Sequence, residues 1–418
     1  MRRPSASPAA ACLGLCLLLG ADRAGAIPAF ARLYGESCTT CHVAIPQLNA
    51  FGKAFRNNGY RFPRETEDLL QQAPLPLGGE PQKELWPADA VWPGAIPASV
   101  PLAVRVEGDY VVGADEEVSS DFRWPHEVYL LSAGTLGSSV SYFLELIPFR
   151  DGAFGGVHRA FVQFDRLLRG SRLLNLRVGQ VEPEAVPFSR NRRATMTDYL
   201  TTSFKNGANP FSFGDDQRGV EAWGIRDGRA GGGLLWAVGV VNGNGAGGKG
   251  AAGTLDDNAA KDVYGRLHYK LGGLSLTGER GAPPQGGPWV DEAAGLGAFA
   301  YRGWGTLGTF YRYGFDLAWS RGDLTLFGLW ETGSDRFDGG GEPAFRAWFA
   351  EADYVFAPWV LGALRYERAD ADAGADPERL VSHVSLSLRP NLVLRLEALS
   401  VLHGGDRSQG KARLDVAF

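Results

Sequence analysis

Lys411-Ala412-Arg413-Leu414-Asp415-Val416-Ala417-Phe418 reads with a period of two. Ala412, Leu414, Val416 and Phe418 fall on one face and Arg413, Asp415 and Ala417 on the other, because successive side chains of an extended strand point to opposite sides. The same division recurs upstream. In 392–402, Leu394, Leu396 and Ala398 oppose Arg395 and Glu397. In 263–271, Val263, Leu267, Tyr269 and Leu271 oppose Tyr264, Arg266, His268 and Lys270. Each is a strand with one apolar face, a pattern that a soluble β-sandwich would also produce.

Two features favour a membrane barrel over a sandwich. The first is the spacing of the breaks: about sixteen strands fit 101–418, and their connections alternate short and long, as the two rims of an outer-membrane barrel do. The tight turns are read at Leu271-Gly272-Gly273, Arg321-Gly322-Asp323, Ala357-Pro358 and Arg389-Pro390-Asn391, the long loops at Ala114–Asp121, Glu182–Gln217, Gly243–Ala260, Gly333–Pro343 and Asp370–Glu378. The second is Phe418 on the alternating apolar face, which resembles the C-terminal signal read by the bacterial barrel assembly machinery. The expectation is an all-β transmembrane barrel of about sixteen antiparallel strands in the outer membrane of a Gram-negative bacterium. An even count puts both ends of the barrel on the short-turn, periplasmic rim.

Composition agrees. The chain has 57 Gly and 11 Trp, a formal charge of -5 and a mean hydropathy of -0.14. That acidity, with no basic stripe interleaved with aromatics, argues against a nucleic-acid binder. Arg2 and Arg3, the apolar run Ala9–Gly20 and Ala24-Gly25-Ala26 read as a secretory signal peptide over 1–26, too short to span a bilayer. Cys16 does not read as a lipoprotein cysteine, because Leu17–Leu19 continue the apolar core. Residues 63–100, with Pro74, Pro76, Pro81, Pro87, Pro93 and Pro97, read as a proline-stiffened linker.

Between signal and linker stands Cys38-Thr39-Thr40-Cys41-His42, the C-x-x-C-H attachment pattern of a c-type haem. Two thiols at that spacing meet the two vinyl groups, and the adjacent imidazole reaches the iron as proximal ligand. Cys12 and Cys16 lie in the signal, so no partners remain for a four-ligand structural zinc. A redox dithiol normally accompanies a βαβ pattern, which is absent here. Residues 27–62 therefore read as a small helical segment carrying one haem c, with Cys38 and Cys41 as thioether positions and His42 on the metal.

That segment, with Pro46-Gln47-Leu48-Asn49-Ala50-Phe51-Gly52-Lys53-Ala54-Phe55-Arg56 leading to Gly59-Tyr60, resembles the fused monohaem cytochrome–porins of Gram-negative bacteria. The family includes outer-membrane iron oxidases. The resemblance covers residues 29–62 closely and extends to Gly179-Gln180, Arg190 and Thr197-Asp198-Tyr199 in the barrel. It implies electron transfer across the outer membrane, with extracellular Fe(II) as donor and a periplasmic c-type cytochrome as acceptor. The protein would then be an Fe(II):cytochrome oxidoreductase with no acid, base or nucleophile. A diffusion porin with a structural or gating plug, and an outer-membrane haem peroxidase, are the alternatives.

The segment holds no methionine or further histidine for a sixth ligand, and it is too small to bury a haem alone. The barrel must complete the site, with Met196, His268 and His383 as candidate distal ligands, and the segment is expected inside the lumen. Phe30, Phe51, Phe55 and Tyr60 read equally as porphyrin packing or as a small core. Arg190, Arg192 and Arg193 in the loop after the fifth strand read as a constriction lining or as a solvated basic loop. Glu116, Glu117, Asp256, Asp257, Asp335, Asp338, Asp370, Asp372 and Asp376 fall in outer connections, where they would steer cations or merely solvate the loops.

Overall fold

The computed structural model describes residues 29–418 except 65–68, 80, 82–83, 85–90, 114–117, 189–191, 244–255, 257, 282–285, 306, 373, 375 and 405–406. The signal segment, Arg190, Glu116, Glu117 and Asp257 lie outside the described residues.

Alternating stretches become sixteen strands: β1 (Leu102–Val112), β2 (Ser120–Leu136), β3 (Val140–Arg150), β4 (Gly156–Phe164), β5 (Asn175–Val181), β6 (Gln217–Asp227), β7 (Gly233–Val241), β8 (Asp262–Gly272), β9 (Ala293–Gly305), β10 (Gly308–Arg321), β11 (Leu324–Phe337), β12 (Ala344–Ala357), β13 (Val360–Ala371), β14 (Glu378–Arg389), β15 (Leu392–His403) and β16 (Gln409–Ala417). Each pairs antiparallel with its neighbours, and β16 pairs with β1 to close the barrel. Phe418 completes the seam: its N–H donates to Val104 O and its carbonyl accepts from Val104 N.

The two faces divide as the alternation requires. Leu267, Tyr269 and Leu271 are exposed outward while Tyr264 and Arg266 are buried inward. Leu396 is exposed outward between the buried Arg395 and Glu397. Large apolar residues outside and charged residues inside invert a soluble protein, and only a lipid surround makes that arrangement stable. The inward charges are paired: Arg365, wholly buried, meets Glu351 at 3.2 Å and Glu367 at 3.1 Å. No described helix is long and apolar enough to cross a membrane. The membrane is crossed by strands.

Two-residue turns join β10 to β11, β12 to β13 and β14 to β15 on the rim that carries both barrel ends. Gly322 supplies the positive φ of 57° that the first of these needs. One expected turn is corrected. Gly272 and Gly273 do turn the chain, with φ of 74° and 60°, but they open a connection over 273–292 rather than a hairpin. This connection lies against the N-terminal segment: Asn57 and Asn58 side chains donate to the Leu276 and Thr277 carbonyls at 2.9 and 2.8 Å.

The N-terminal segment consists of α1 (Ala29–Tyr34), a 3-10 turn at Cys38–Thr40, a two-stranded ribbon of His42–Ala44 with Gln47–Leu48, and α2 (Ala50–Asn57). It sits within the lumen near the rim of short turns. Arg395 donates to Ile45 O, Gln47 to Asp353 at 2.7 Å, and Arg61 to Gly137 O at 2.7 Å. The stretch expected as a plain stiff linker is partly folded. Leu75–Pro76 pairs with Ala95–Ile96, and Gly137 N donates to Ala95 O, tying this ribbon to the turn between β2 and β3. Proline stiffness favours extended chain, and the extended strands pair N–H to carbonyl, Leu77 N donating to Gly94 O at 2.8 Å.

Candidate functional site

The C-x-x-C-H loop is held from both sides by short polar contacts. Ser37 Oγ accepts from Thr39 N and starts the 3-10 turn. Asn49 caps α2 by accepting from Gly52 N at 2.8 Å, while its amide donates to the Thr39 and Thr40 carbonyls. One asparagine thus caps the helix and clamps the loop. Gly52 permits the close approach, since a Cβ there would run into the Cys41 carbonyl. Gly59, at φ 66°, ends α2 where a Cβ would strike the Asp165 carboxylate.

This packing puts Cys38, Cys41 and His42 on one wall of a cavity of about 290 Å³. Phe30, Phe55 and Tyr60 complete that side, and Leu131, Ala133 and Phe143 of β2 and β3 face them. The aromatic rings also pack on one another: Phe30 meets Phe55 edge-on at 4.8 Å, and Tyr60 stacks on Phe143 at 5.8 Å. They therefore form a small core and a cavity lining at once. Phe51 turns away to meet Phe62 at 5.0 Å. Phe62, stacked on Tyr34 at 3.9 Å and lining the cavity, went unread in the sequence although it follows Tyr60 at strand spacing.

Both cysteines are free thiols. Burial pushes the Cys41 thiol up to about 12, with the neighbouring Cys38 and Glu36 adding to the rise, and burial raises Cys38 as well. A redox dithiol needs a lowered thiol pKa, so this environment disfavours that reading. Burial pulls His42 down to about 4, leaving a neutral imidazole able to ligate. Its Nδ1 is buried without a hydrogen-bond partner. Two thiols, a neutral imidazole with an orphaned nitrogen and an aromatic lining fit a haem c.

Arginines of the barrel and the inward loop border the same cavity; of these Arg105 and Arg159 were not singled out in the sequence, and Arg192 was read only as a loop residue. Arg105 pairs with Asp415 and Glu107, each at 2.5 Å, and Arg159 with Glu145. Arg192 and Arg56 converge on Glu184 at 3.0 and 2.8 Å. Burial opposes ionisation of Glu184, yet Arg192, Arg56 and Arg177 hold its carboxyl well below the usual carboxylate range. Alternation marks such residues as inward. Which of them meets the segment depends on barrel closure.

None of the three candidate distal ligands lines the cavity of His42. Met196 borders a neighbouring polar cavity, and its N–H donates to Glu397 at 2.6 Å. His383 has both ring nitrogens engaged, Nδ1 with Glu397 at 3.0 Å and Nε2 with Ser385 at 2.8 Å. His268 faces a third cavity of about 220 Å³. The described parts of the loop over 182–216, residues 182–188 and 192–216, do fold inward, as the porin pattern suggests: Leu200 N donates to Glu367, and Tyr199 stacks on Phe349 at 4.3 Å. Arg192 and Arg193 are ion-paired within it, Arg193 with Asp198.

The outer carboxylates are mostly engaged. Asp335 is no loop residue. It lies on β11, buried in the lumen against Arg312, Asn206 and Asn209. The alternation runs on through Gly333 and Ser334, residues that read as a break. Asp370 pairs with Arg368 at 2.6 Å, and Asp372 and Asp376 accept from backbone N–H groups of Ala344 and Ala371.

Solved structures similar to this chain are porins and channels. An anion-selective porin from Comamonas acidovorans is 16% identical with a TM-score of 0.51, over 77% of this chain and 99% of that one. OmpF of Salmonella typhi, solved with daunomycin, is 9% identical at 0.51, over 76% and 97%. The outer membrane channel DcaP of Acinetobacter baumannii is 12% identical at 0.51, over 77% and 97%. No family model and no curated protein matches the chain. What the likeness shows is the fold, a sixteen-stranded barrel of the kind found in porins of the Gram-negative outer membrane.

Proposed function

We propose that this barrel is an electron conduit of the outer membrane, carrying one haem c on Cys38, Cys41 and His42 inside its lumen. The observation that carries the reading is the cavity at the C-x-x-C-H loop, which is aromatic, bordered by both thiols and the neutral imidazole, and walled on its far side by β2 and β3. A haem bound there would supply one-electron transfer. The chain's own residues hold the loop through Asn49 and Gly52, exclude water with Phe30, Phe55, Tyr60 and Phe143, and surround the cavity with paired guanidinium groups.

Position also supports the reading. A barrel's apolar band is about 25 Å tall, so a single centre serves partners on both sides only from within the lumen, where the segment lies. Extracellular Fe(II) as donor and a periplasmic c-type cytochrome as acceptor rest on the resemblance of residues 29–62. Stopped-flow mixing of purified protein with Fe(II) tests the donor: reduced-haem absorbance should develop rapidly, and an unchanged spectrum would remove Fe(II) from the proposal.

A second reading, a diffusion porin with a structural or gating plug, is favoured by the porin likeness and by the polar cavities beside the segment. Proteoliposome swelling separates the two. A conduit stays closed to small sugars, whereas a diffusion porin admits them.

A further inference from the structure

Against the thiol-lined cavity lies a polar one of about 260 Å³, sharing Pro46, Arg105 and Tyr129 with it. It follows β1 from Arg105 to Val111, about 20 Å of extended chain, and so reaches from the level of Pro46 toward the outer rim. Six guanidinium or ammonium groups line it against four carboxylates.

Those carboxylates are already engaged. Glu107 pairs with Arg105 and Arg413, Asp109 with Arg413, Glu127 with Arg150, and Asp198 with Arg193. Arg395 and Arg123 also pair outside the lining, with Asp415 at 2.8 Å and Asp121 at 2.5 Å, yet buried donors stay unused. Arg193 and Arg395, 4% and 2% exposed, each keep a buried nitrogen without a partner, Nη1 and Nε respectively. Lys411 faces Glu397 across the strand pair, but Glu397 is taken by His383, Met196 N and Thr197. A buried donor left unmade costs free energy that a charged acceptor would recover.

We propose that this cavity binds a small oxyanion, a carboxylate or phosphate group, between Arg193, Arg395 and Lys411. Planar guanidinium groups suit a two-oxygen acceptor, and the ammonium adds a point charge. Such a ligand would occupy the polar route between the outer rim and the wall shared with the C-x-x-C-H cavity. The proposal does not depend on haem.

Calorimetric titration of the full-length protein in detergent with citrate, and separately with inorganic phosphate, tests it. Saturable binding of either supports the site, and the anion that binds identifies the source chemistry. Lys411→Gln should weaken that binding about tenfold, the effect of losing one charge-assisted contact, and added NaCl should weaken it further. Asp198→Asn releases Arg193 and should tighten it. Heat-modifiable migration on gels verifies the folded barrel in each variant. If Lys411→Gln fails to fold, Asp198→Asn decides alone: tighter binding supports the site and unchanged binding overturns it. The absence of saturable heat with both anions, or equal affinity in a folded Lys411→Gln, overturns the proposal as well. Haem content enters none of these readings, so this proposal and the electron-transfer reading fail separately.

Discussion

Two chain segments dock inside this barrel, and they dock differently. The loop over 182–216 meets the wall ring on ring: Tyr199, wholly buried, lies 4.3 Å from Phe349, and Phe211 lies 4.6 Å from Tyr301 and 4.7 Å from Phe310. The N-terminal segment also brings aromatic side chains to an apolar part of the wall, yet Phe30, Phe55 and Tyr60 stand around a space of about 290 Å³. Protein interiors leave few voids larger than a water molecule. The loop borders cavities too, but polar residues such as Arg193 and Asp198 line them while its rings lie on the wall. On the proposed reading the loop's rings fill their part of the lumen, and the segment's rings stand as a holder around a cavity that also carries two thiols and an imidazole.

The largest effect that tests this contrast is removal of the holder. Deleting residues 29–62 should turn a barrel closed to small sugars into one that swells proteoliposomes, because the loop covers only its own part of the wall. Swelling that is already rapid in the intact protein would show that the segment does not close the lumen.

Truncating one aromatic on each side comes next. Tyr199→Ala removes a fully packed ring and should cost about 3–5 kcal/mol in urea unfolding from micelles, as core aromatic truncations do. Its haem absorbance should not change. Phe30→Ala should cost less in the haem-free Cys38→Ala/Cys41→Ala background, where Phe30 borders the cavity, and in the haem-bearing protein it should shift the haem absorbance or potential. Equal stability losses with an unaltered spectrum in both would erase the distinction.

A smaller effect comes from His42 in the haem-free state. Burial holds its folded pKa near 4 against a usual 6.5. The unfolded chain therefore binds a proton that the folded one does not, and stability falls as pH drops. The Cys38→Ala/Cys41→Ala protein should lose stability progressively between pH 6.5 and 4, and adding His42→Gln should flatten that slope. An unchanged slope would mean that His42 is not buried as a neutral ring.

How much of this was legible in the sequence follows from the range of each signal. The barrel was, because a period of two runs through long stretches such as those of β8 and β15 and Phe418 completes the seam. The C-x-x-C-H loop was legible as a motif, because five consecutive residues carry it; the haem on it is what we propose. The connection over 273–292 was not: Gly272 and Gly273 do make a turn, and nothing local says that the chain then continues beneath the segment. Asp335 was misplaced because Gly333 and Ser334 look like a loop inside a strand that runs on to Phe337. The arginines around the cavity were invisible as a group, since Arg105, Arg159 and Arg192 meet only after sixteen strands close. For the same reason His268 and His383 were named from facing alone, which does not say which cavity a residue reaches, and Met196 was named for its residue type.

The central claim is tested most directly by haem staining of the mature protein on a denaturing gel. Thioether attachment through Cys38 and Cys41 predicts a stained band at the full-length position, lost completely in Cys38→Ala/Cys41→Ala although the folded barrel persists in the undenatured sample. A wild-type band that takes no haem stain after denaturation would contradict the account.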